Sequence, residues 1–314
     1  MTTEKHRPKR DVSWTHWVFL APFLSLATVF VLLPMVFSIV LSVMAWDPID
    51  GFKGIHFVNV ENFRFLFKDQ WFWQSLYNTV WLALVSGVAQ HLVAIPLAYA
   101  ICRLLGRYQN AVVGLFFLPY ITSTVAISVL ATALFSADYG LINHAIALIV
   151  KIFSGNNTME PIQWLDSSQG IKPAIAIIVF WRFVGFNTIL YMAAFQAIPT
   201  EVYEVSYVDG IGPLRRFLMV AVPMISPAIL FGLTMSIIGG LQLFEEPFIL
   251  TNGKGGASHA GMTVAMYMYR TAFEFNDLGA ASAMAWFNFL VIALLLALLY
   301  GLAGRRLIKN AGAT

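Results

Sequence analysis

Six long apolar stretches constrain this chain more than any other feature of its sequence. A helix needs about 20 mostly apolar residues to cross the roughly 30 Å of hydrocarbon in a bilayer. The stretches of that length are 17–45, 80–102, 111–135, 174–197, 217–244 and 284–303. Three of them contain the prolines Pro34, Pro96 and Pro119, which a membrane bundle tolerates because neighbouring helices satisfy the freed carbonyl groups. The sequence therefore predicts an all-α protein with six membrane-spanning helices.

The composition excludes several other classes of protein. Charged residues make up 11% of the chain, whereas a soluble domain carries about 25%. A net charge of +3 is too small for a nucleic-acid-binding protein, whose basic excess neutralises phosphates. The chain has one cysteine, Cys102, so it forms no intrachain disulfide, and the isolated His144 and His259 are too few to bind a metal.

The basic residues predict which ends of the helices face the cytoplasm. One set of loops and tails carries eleven Lys and Arg residues and five acids, and the other set carries seven basic and eleven acidic residues. Cytoplasmic loops are enriched in Lys and Arg. We therefore expect cytoplasmic tails at 1–16 and 305–314 around a six-span domain at 17–304, and no cleavable signal peptide. Two shorter apolar stretches, 141–150 and 261–269, predict a helix at the membrane interface and an approach to the last span.

The cytoplasmic connection at 198–223 contains more than a simple turn. Pro199, Thr200 as a cap, and Glu201 and Glu204 near the positive end of the helix dipole mark the start of a helix. Gly210 ends it. A short helix between two spans, with valines at a spacing of three, can dock into a groove of another protein.

This loop resembles the signature of permease subunits of binding-protein-dependent ABC importers. Glu204-Val-Ser, Gly210 and Val220-Ala-Val-Pro223 follow the family pattern EAA-x3-G-x9-I-x-L-P, with Val205 and Ser206 in place of two alanines. Further matches run in order along almost the whole chain, from 57–63 to 279–283, as in sugar permeases. The chain is therefore identified as similar to the first permease of a carbohydrate importer, with the type I permease fold.

The resemblance implies a set of partners and a coupling site. A second homologous permease would pair with this chain, a dimer of cytoplasmic ATPases would use ATP and Mg, and an extracytoplasmic binding protein would deliver a sugar. This chain itself would bind no cofactor, no metal and no nucleic acid, and would lie in the bacterial plasma membrane among lipid. The ATPase-coupling residues implied are Glu201, Glu204, Ser206, Asp209, Gly210 and Pro223.

A substrate route across the membrane needs polar or aromatic side chains facing the interior. The candidates, some from residue type and some from matching positions in maltose-type permeases, are Tyr120, Thr124, Trp181, Arg182, Gly185, Asn187, Ser236, Gly240, Gln242 and Leu243. Gly232, Ser236 and Gly240 equally fit close helix packing.

Several alternatives remain open for individual residues and for the whole chain. Arg182 could contact an anionic sugar, pair with an acid of the partner chain or reach outward. Gln90 and His91 are interpreted as a buried hydrogen-bonded pair, and Glu245-Glu246 as a solvated rim.

The chain could also be a permease for a solute other than a sugar, or a secondary transporter. That last class usually carries acids in its spans, and none lies at a predicted span centre. A membrane enzyme would need a nucleophile with a base, which no spacing supplies.

Overall fold

The computed structural model describes residues 14–154 and 160–304. Regular structure in these residues is helical apart from two very short strands, which confirms the all-α prediction. Five apolar stretches are long enough to cross a membrane, and a sixth forms if a sharply bent pair of helices counts as one span. The predicted tails at 1–16 and 305–314 lie outside the described residues, except for residues 14–16.

The first span makes little contact with the rest of the chain. It consists of α1 (Thr15–Ala27), a π-helical turn (Thr28–Leu32) and α2 (Leu33–Leu41), and only 6% of its most apolar window is buried. The strands β1 (Met44–Ala45) and β2 (His56–Phe57) then pair antiparallel, and α3 (Glu61–Lys68) follows. The Asn62 side chain of α3 donates hydrogen bonds to the carbonyls of Ser42 and Met44, and so fixes this connection.

The second span is longer than the sequence predicts. Helix α4 (Gln70–Leu104) has 35 residues, and it begins well before the predicted start at residue 80. The Asp69 side chain caps it by accepting a hydrogen bond from the backbone N–H of Trp71 at 2.9 Å. Its first turns carry polar residues such as Gln74 and Asn78, which donate hydrogen bonds to the loop at 258–262. Because these residues are polar, hydropathy alone did not assign the first turns to the span.

The predicted third span at 111–135 is not one continuous helix. It forms α5 (Gln109–Ile121) and α6 (Thr124–Leu134), whose axes meet at 93°. The backbone of Thr122 and Ser123 is extended between them, with ψ of 146° and 130°. Pro119, which lacks a backbone N–H, lies three residues before this bend.

The next three helices match their predicted positions. They are α7 (Leu141–Ser154), α8 (Ile171–Gln196) and α9 (Thr200–Val208). Helix α7 is too short to span a membrane, and α8 is the predicted fourth span. The predicted cap of α9 is wrong by one residue: Pro199 occupies the capping position, and Thr200 is the first helical residue.

The fifth predicted span, 217–244, is interrupted and displaced. The chain forms α10 (Pro213–Arg216), a π-helical turn (Phe217–Ala221), α11 (Val222–Met224), α12 (Ser226–Leu241) and, after a three-residue break, α13 (Glu245–Leu250). The helix breaks at Ile225 because Pro227, two residues later, has no N–H to continue the ladder. The apolar stretch of spanning length is Ser226–Leu250.

The last part of the chain forms two helices. These are α14 (Val264–Phe273), which corresponds to the predicted approach at 261–269, and α15 (Leu278–Leu299), which ends in a π-helical turn (Tyr300–Gly304). Helix α15 starts earlier than the predicted residue 284, because Asp277 caps it by accepting from the N–H of Ala280 at 2.8 Å.

Helices α4, α8 and α12 form the centre of the bundle, and α5 packs on α8. Small residues let these helices approach closely. A Cβ on Gly185 of α8 would lie 1.8 Å from the carbonyl oxygen of Phe116 in α5, and a Cβ on Gly240 of α12 would lie 2.8 Å from the Cβ of Ala83 in α4. These contacts leave no room for a larger side chain.

We expect Gly185→Ala to destabilise the bundle by about 1–3 kcal/mol, because the added methyl group displaces the α5 backbone. Gly114→Ala in α5 is the matched control, since its Cβ would meet no atom within 4 Å and alanine favours the helix by up to ~1 kcal/mol. Thermal melting of the purified protein in detergent measures both changes. Equal melting temperatures for the two variants would contradict the packing assignment.

Candidate functional site

A cavity of about 440 Å³ lies among α4, α8, α12 and the break that follows α12. We call it the central cavity. Its wall contains aromatic rings and a set of polar side chains that are costly to expose to lipid. The polar lining residues are Ser86, Gln90, Arg182, Asn187, Ser236, Gln242, Glu245 and Glu246. An amphipathic lining inside an apolar bundle is typical of a binding site for a small polar molecule.

Most of the residues predicted for a substrate route meet in this cavity. Those that line it are Tyr120, Arg182, Asn187, Ser236, Gly240, Gln242 and Leu243. Thr124 is buried at the start of α6, Gly185 lies in the contact with α5, and Trp181 lines a separate, almost wholly apolar cavity of about 650 Å³. The structure therefore does not place Thr124, Trp181 or Gly185 at the central cavity, although Gly185 supports its wall through helix packing.

Two buried amides in the cavity wall are bonded to each other. Asn187 donates from Nδ2 to Oε1 of Gln90 at 3.2 Å, and Gln90 donates from Nε2 to the carbonyl of Val179 at 3.3 Å. Both side chains are almost completely buried. A buried amide held at both ends keeps a fixed orientation, so the Gln90–Asn187 pair presents a constant pattern of donors and acceptors to the cavity.

A second network links the three central helices through His91. Tyr191 Oη and His91 Nδ1 are 2.7 Å apart, and His91 Nε2 and Ser236 Oγ are 2.9 Å apart. A buried hydroxyl is costly without an acceptor, so Tyr191 donates to Nδ1, and Nε2 carries the hydrogen donated to Ser236. The Ser236 hydroxyl can then donate into the cavity. Gln90 and His91 are both buried and hydrogen-bonded, but to different partners and not to each other.

Arg182 forms an ion pair within this chain. Its Nη1 lies 2.5 Å from Oε1 of Glu246, whose side chain is 4% exposed. Of the alternatives left open for Arg182, pairing with an acid is observed, but the acid belongs to this chain. Glu245 is exposed, as expected for a rim, but Glu246 is buried in the wall, which corrects that part of the prediction. An acid therefore does lie inside an apolar stretch of spanning length, Ser226–Leu250.

Aromatic rings form a second type of surface in the cavity. The rings of Tyr120 and Phe186 are stacked, with centroids 4.7 Å apart and planes inclined by 26°, and Phe183 meets Tyr120 edge-on at 5.7 Å. All three residues line the cavity. They add flat apolar faces to the polar lining, so a ligand with one apolar face and several hydroxyl groups matches both kinds of surface.

Helix α9 at one end of the bundle carries the other predicted residues. Glu201, Glu204 and Asp209 are exposed, together with Val205 and Val208. The structure does not place Ser206 on this outer surface: its side chain is buried and donates to the carbonyl of Tyr203. Pro223 lies beyond the loop in α11 and is half-buried. Neither Ser206 nor Pro223 therefore belongs to the exposed surface of α9.

Gly210 ends α9 with a left-handed turn. Its φ is +69°, and the N–H groups of Gly210 and Ile211 donate to the carbonyls of Tyr207 and Ser206 at 3.1 and 3.0 Å. This pair of bonds is a Schellman motif, which favours glycine at the left-handed position. Space is not the constraint here, since an added Cβ would meet no atom within 4 Å.

Two arginines, Arg103 and Arg216, hold α9 against the bundle, and we call them the arginine clamp. The guanidinium carbon of Arg103, at the end of α4, lies 3.4 Å from the ring centroid of Tyr203, and that of Arg216, in α10, lies 3.5 Å from that of Tyr207. Arg216 also donates to the carbonyl of Ile211 at 2.6 Å. In the sequence, these arginines contributed only to the predicted orientation of the chain. Two tyrosines spaced by four on the helix, followed by Arg216 a few residues later, were the available signal.

Among the residues that the structure describes, no cluster of three or more His, Cys, Asp or Glu side chains could hold a metal ion. The features of the described chain are instead a bundle of apolar helices, a polar and aromatic cavity within it, and a clamped helix at one end. These features define a polytopic membrane transport protein.

Comparison with known proteins identifies the family. The model of the family described as binding-protein-dependent transport system inner membrane component matches residues 92–309. The chain belongs to this family of permease subunits, and its described part is almost wholly helical.

Individual relatives match almost the full length of the chain. The lactose transport system permease protein of Rhizobium radiobacter is 34% identical over 299 residues, which cover 94% of this chain and 95% of the relative. The sn-glycerol-3-phosphate transport system permease protein of Yersinia pseudotuberculosis is 31% identical, with 89% and 90% covered. A chain in the crystal structure of a bacterial ABC transporter that imports the acidic polysaccharide alginate has the same fold, with a TM-score of 0.77, 22% identity and coverage of 93% and 96%.

We expect Arg216→Gln to loosen α9, because it removes a desolvated cation–π contact and a hydrogen bond to Ile211. Such a contact contributes about 2 kcal/mol, so the backbone amides of α9 should exchange hydrogen at least about tenfold faster. Arg215→Gln is the matched control, since it removes the same charge from an exposed neighbouring side chain. Hydrogen–deuterium exchange of the purified protein measures the difference, and equal rates in the two variants would contradict the clamp.

Proposed function

We propose that this chain is one of two permease subunits of an ATP-driven importer, and that a sugar or sugar derivative crosses the membrane through the central cavity. The observation that carries this proposal is the combination of fixed amides, a hydroxyl donor and stacked aromatic rings inside an otherwise apolar bundle. Sugar hydroxyl groups need paired donors and acceptors, and the C–H faces of a sugar ring lie well on aromatic rings. The lining of the central cavity offers both kinds of surface.

The relatives support a sugar as the solute. The names of the similar permeases refer to lactose, to arabinooligosaccharides and to sn-glycerol-3-phosphate, all of which are polyhydroxylated. These solutes differ in size and in charge. What they share is a dense set of hydroxyl groups, which is the feature that the lining of the central cavity fits.

Helix α9 is the proposed docking site for a dimer of cytoplasmic ATPase subunits. Glu201, Glu204 and Asp209 would make polar contacts in a cleft of the ATPase, beside the exposed Val205 and Val208. ATP and Mg are used by the ATPase, and this chain binds neither. The arginine clamp would then pass the movement of the ATPases to the spans that line the cavity.

The same assignment sets the orientation of the chain. Both termini and α9 would face the cytoplasm of a bacterium, in agreement with the excess of Lys and Arg in the connections on that side. An extracytoplasmic binding protein would deliver the sugar to the opposite end, as in the structural neighbour solved in complex with an alginate pentasaccharide-bound periplasmic protein. A second, homologous permease would supply the rest of the path.

Reconstitution tests the proposed function. The chain is placed in proteoliposomes with its second permease, the ATPases and the binding protein, and a panel of radiolabelled sugars and amino acids is offered. We expect ATP-dependent accumulation of at least one sugar, and none when the ATPase is omitted. Uptake by this chain alone would identify a secondary transporter, and ATP-dependent uptake of amino acids only would identify a permease for another class of solute.

We expect Gly210→Ala to weaken coupling between ATP hydrolysis and transport. Alanine at a left-handed φ costs about 1–2 kcal/mol, so the end of α9 unwinds and uptake falls about fivefold or more. Gly212→Ala is the matched control, because Gly212 has a φ of −64° that alanine adopts freely, and open space around it. Sugar uptake per ATP hydrolysed in proteoliposomes is the measurement. Equal uptake by both variants would show that the glycine turn plays no part in coupling.

A further inference from the structure

The ion pair between Arg182 and Glu246 differs from the other ion pairs of the described residues. Arg64–Glu61 and Arg270–Glu274 each join residues three or four positions apart, with at least one exposed partner. Arg182 and Glu246 are far apart in sequence, and their side chains are 16% and 4% exposed. The pair connects α8 to α13, the short helix that follows the break in the fifth span, at the wall of the central cavity.

The pairing neutralises the positive charge of Arg182. Nη1 is engaged with Glu246, and Nε is buried, so these two nitrogens are not free to bind a molecule in the cavity. An anionic group that displaced Glu246 would strand a buried carboxylate without a counter-ion, which is strongly unfavourable. Arg182 therefore does not serve as a receptor for a carboxylate or phosphate group.

The charge that remains free in the cavity is negative. Glu245 lines the same cavity and is exposed, whereas Glu246 next to it faces Arg182. One guanidinium and two carboxylates thus leave an excess of one negative charge on the lining. A cleft with low-dielectric walls concentrates the field of such a charge, repels anions and still accepts hydrogen bonds from hydroxyl groups.

The broken span holds this arrangement in place. Between α12 and α13, the carbonyl of Leu243 accepts from Thr263 Oγ1 at 2.7 Å, and the carbonyl of Leu241 accepts from Asn288 Nδ2 at 3.2 Å. These bonds fix the segment that precedes Glu245, so that the first two residues of α13 point in different directions. One carboxylate is presented to the cavity and the other to Arg182.

We propose that the Arg182–Glu246 pair sets the charge selectivity of the central cavity. The pair neutralises the positive charge of the arginine and leaves Glu245 as the free charge, which restricts the route to uncharged sugars. The inference rests on the proposed function and narrows it to a substrate class. Sugars that carry a uronate or phosphate group are rejected at this cavity, although similar permeases include proteins named for glycerol-phosphate and alginate transport.

A stability cycle tests the pair without any substrate. The variants Arg182→Gln, Glu246→Gln and the double variant are purified in detergent with the second permease and melted. Each single variant leaves a buried charge alone, so we expect melting temperatures several degrees lower, and a double variant that recovers most of this loss. Glu245→Gln is the matched control and should leave the melting temperature unchanged. Additive losses in the double variant would overturn the pairing.

A binding experiment tests the selectivity. Radiolabelled glucose and glucuronate, which differ only in the oxidation of C6, are bound to proteoliposomes that contain the permease pair without its binding protein. We expect glucose to bind better than glucuronate. Glu246→Gln frees Arg182 and should raise the ratio of glucuronate to glucose binding at least fivefold, and the double variant should return it to the original value.

The outcomes separate the two proposals. Preferred binding of glucuronate by the unmodified pair, or equal loss of binding in Arg182→Gln and in the double variant at unchanged melting temperature, would show that Arg182 contacts the ligand and would overturn the inference. Failure of every sugar in both uptake and binding would refute the proposed function instead, and the stability cycle would still decide whether Arg182 and Glu246 are partners.

Discussion

Hydrogen bonds and an ion pair within the protein stabilise the polar wall of the central cavity inside an apolar bundle. Water cannot compensate an unpaired donor in hydrocarbon, so the network that lines the cavity is also what allows the bundle to form. Asn187 binds Gln90, Tyr191 binds His91, and Arg182 binds Glu246, and each of these bonds joins two different helices. The polar groups that fit a sugar are thus the groups that hold α4, α8, α12 and α13 in register.

Small residues make these polar contacts possible by bringing the helices close together. Gly185 allows α8 to touch the backbone of α5, and Gly240 allows α12 to reach Ala83 of α4. Gly232 leaves room for the hydroxyl of Tyr191, which in turn binds His91. The close helix contacts and the hydrogen bonds of the cavity wall therefore depend on each other. A methyl group added at one of these glycines would also disturb the hydrogen bonds of the cavity wall.

The sequence predicted the class of fold and much of the cavity, and the reason lies in the thickness of the membrane. Bilayer thickness fixes the length of an apolar stretch, so the spans could be recognised without tertiary information. The bend at Thr122 and the break at Ile225 could not, because proline does not by itself mark a break: Pro119 and Pro227 lie near these sites, but Pro96 lies inside the continuous helix α4. Gly185 was a candidate through its matching position in maltose-type permeases, and only the structure shows that it packs against α5. The burial of Glu246 was not predicted, because the sequence does not distinguish it from its exposed neighbour Glu245. Only the position of α13 in the bundle directs one side chain outward and the other into the wall.

The arginine clamp attaches α9 to two different parts of the bundle. Arg103 lies at the end of α4, the second span, whereas Arg216 lies in α10, which leads into the fifth span, and both contact tyrosines of one short helix. Under the proposed function, a movement of α9 would therefore act on α4 and on the segment that leads into α12, and both α4 and α12 line the central cavity. Because one helix contacts both segments, we expect their movements to be coupled, so that they move together instead of one after the other.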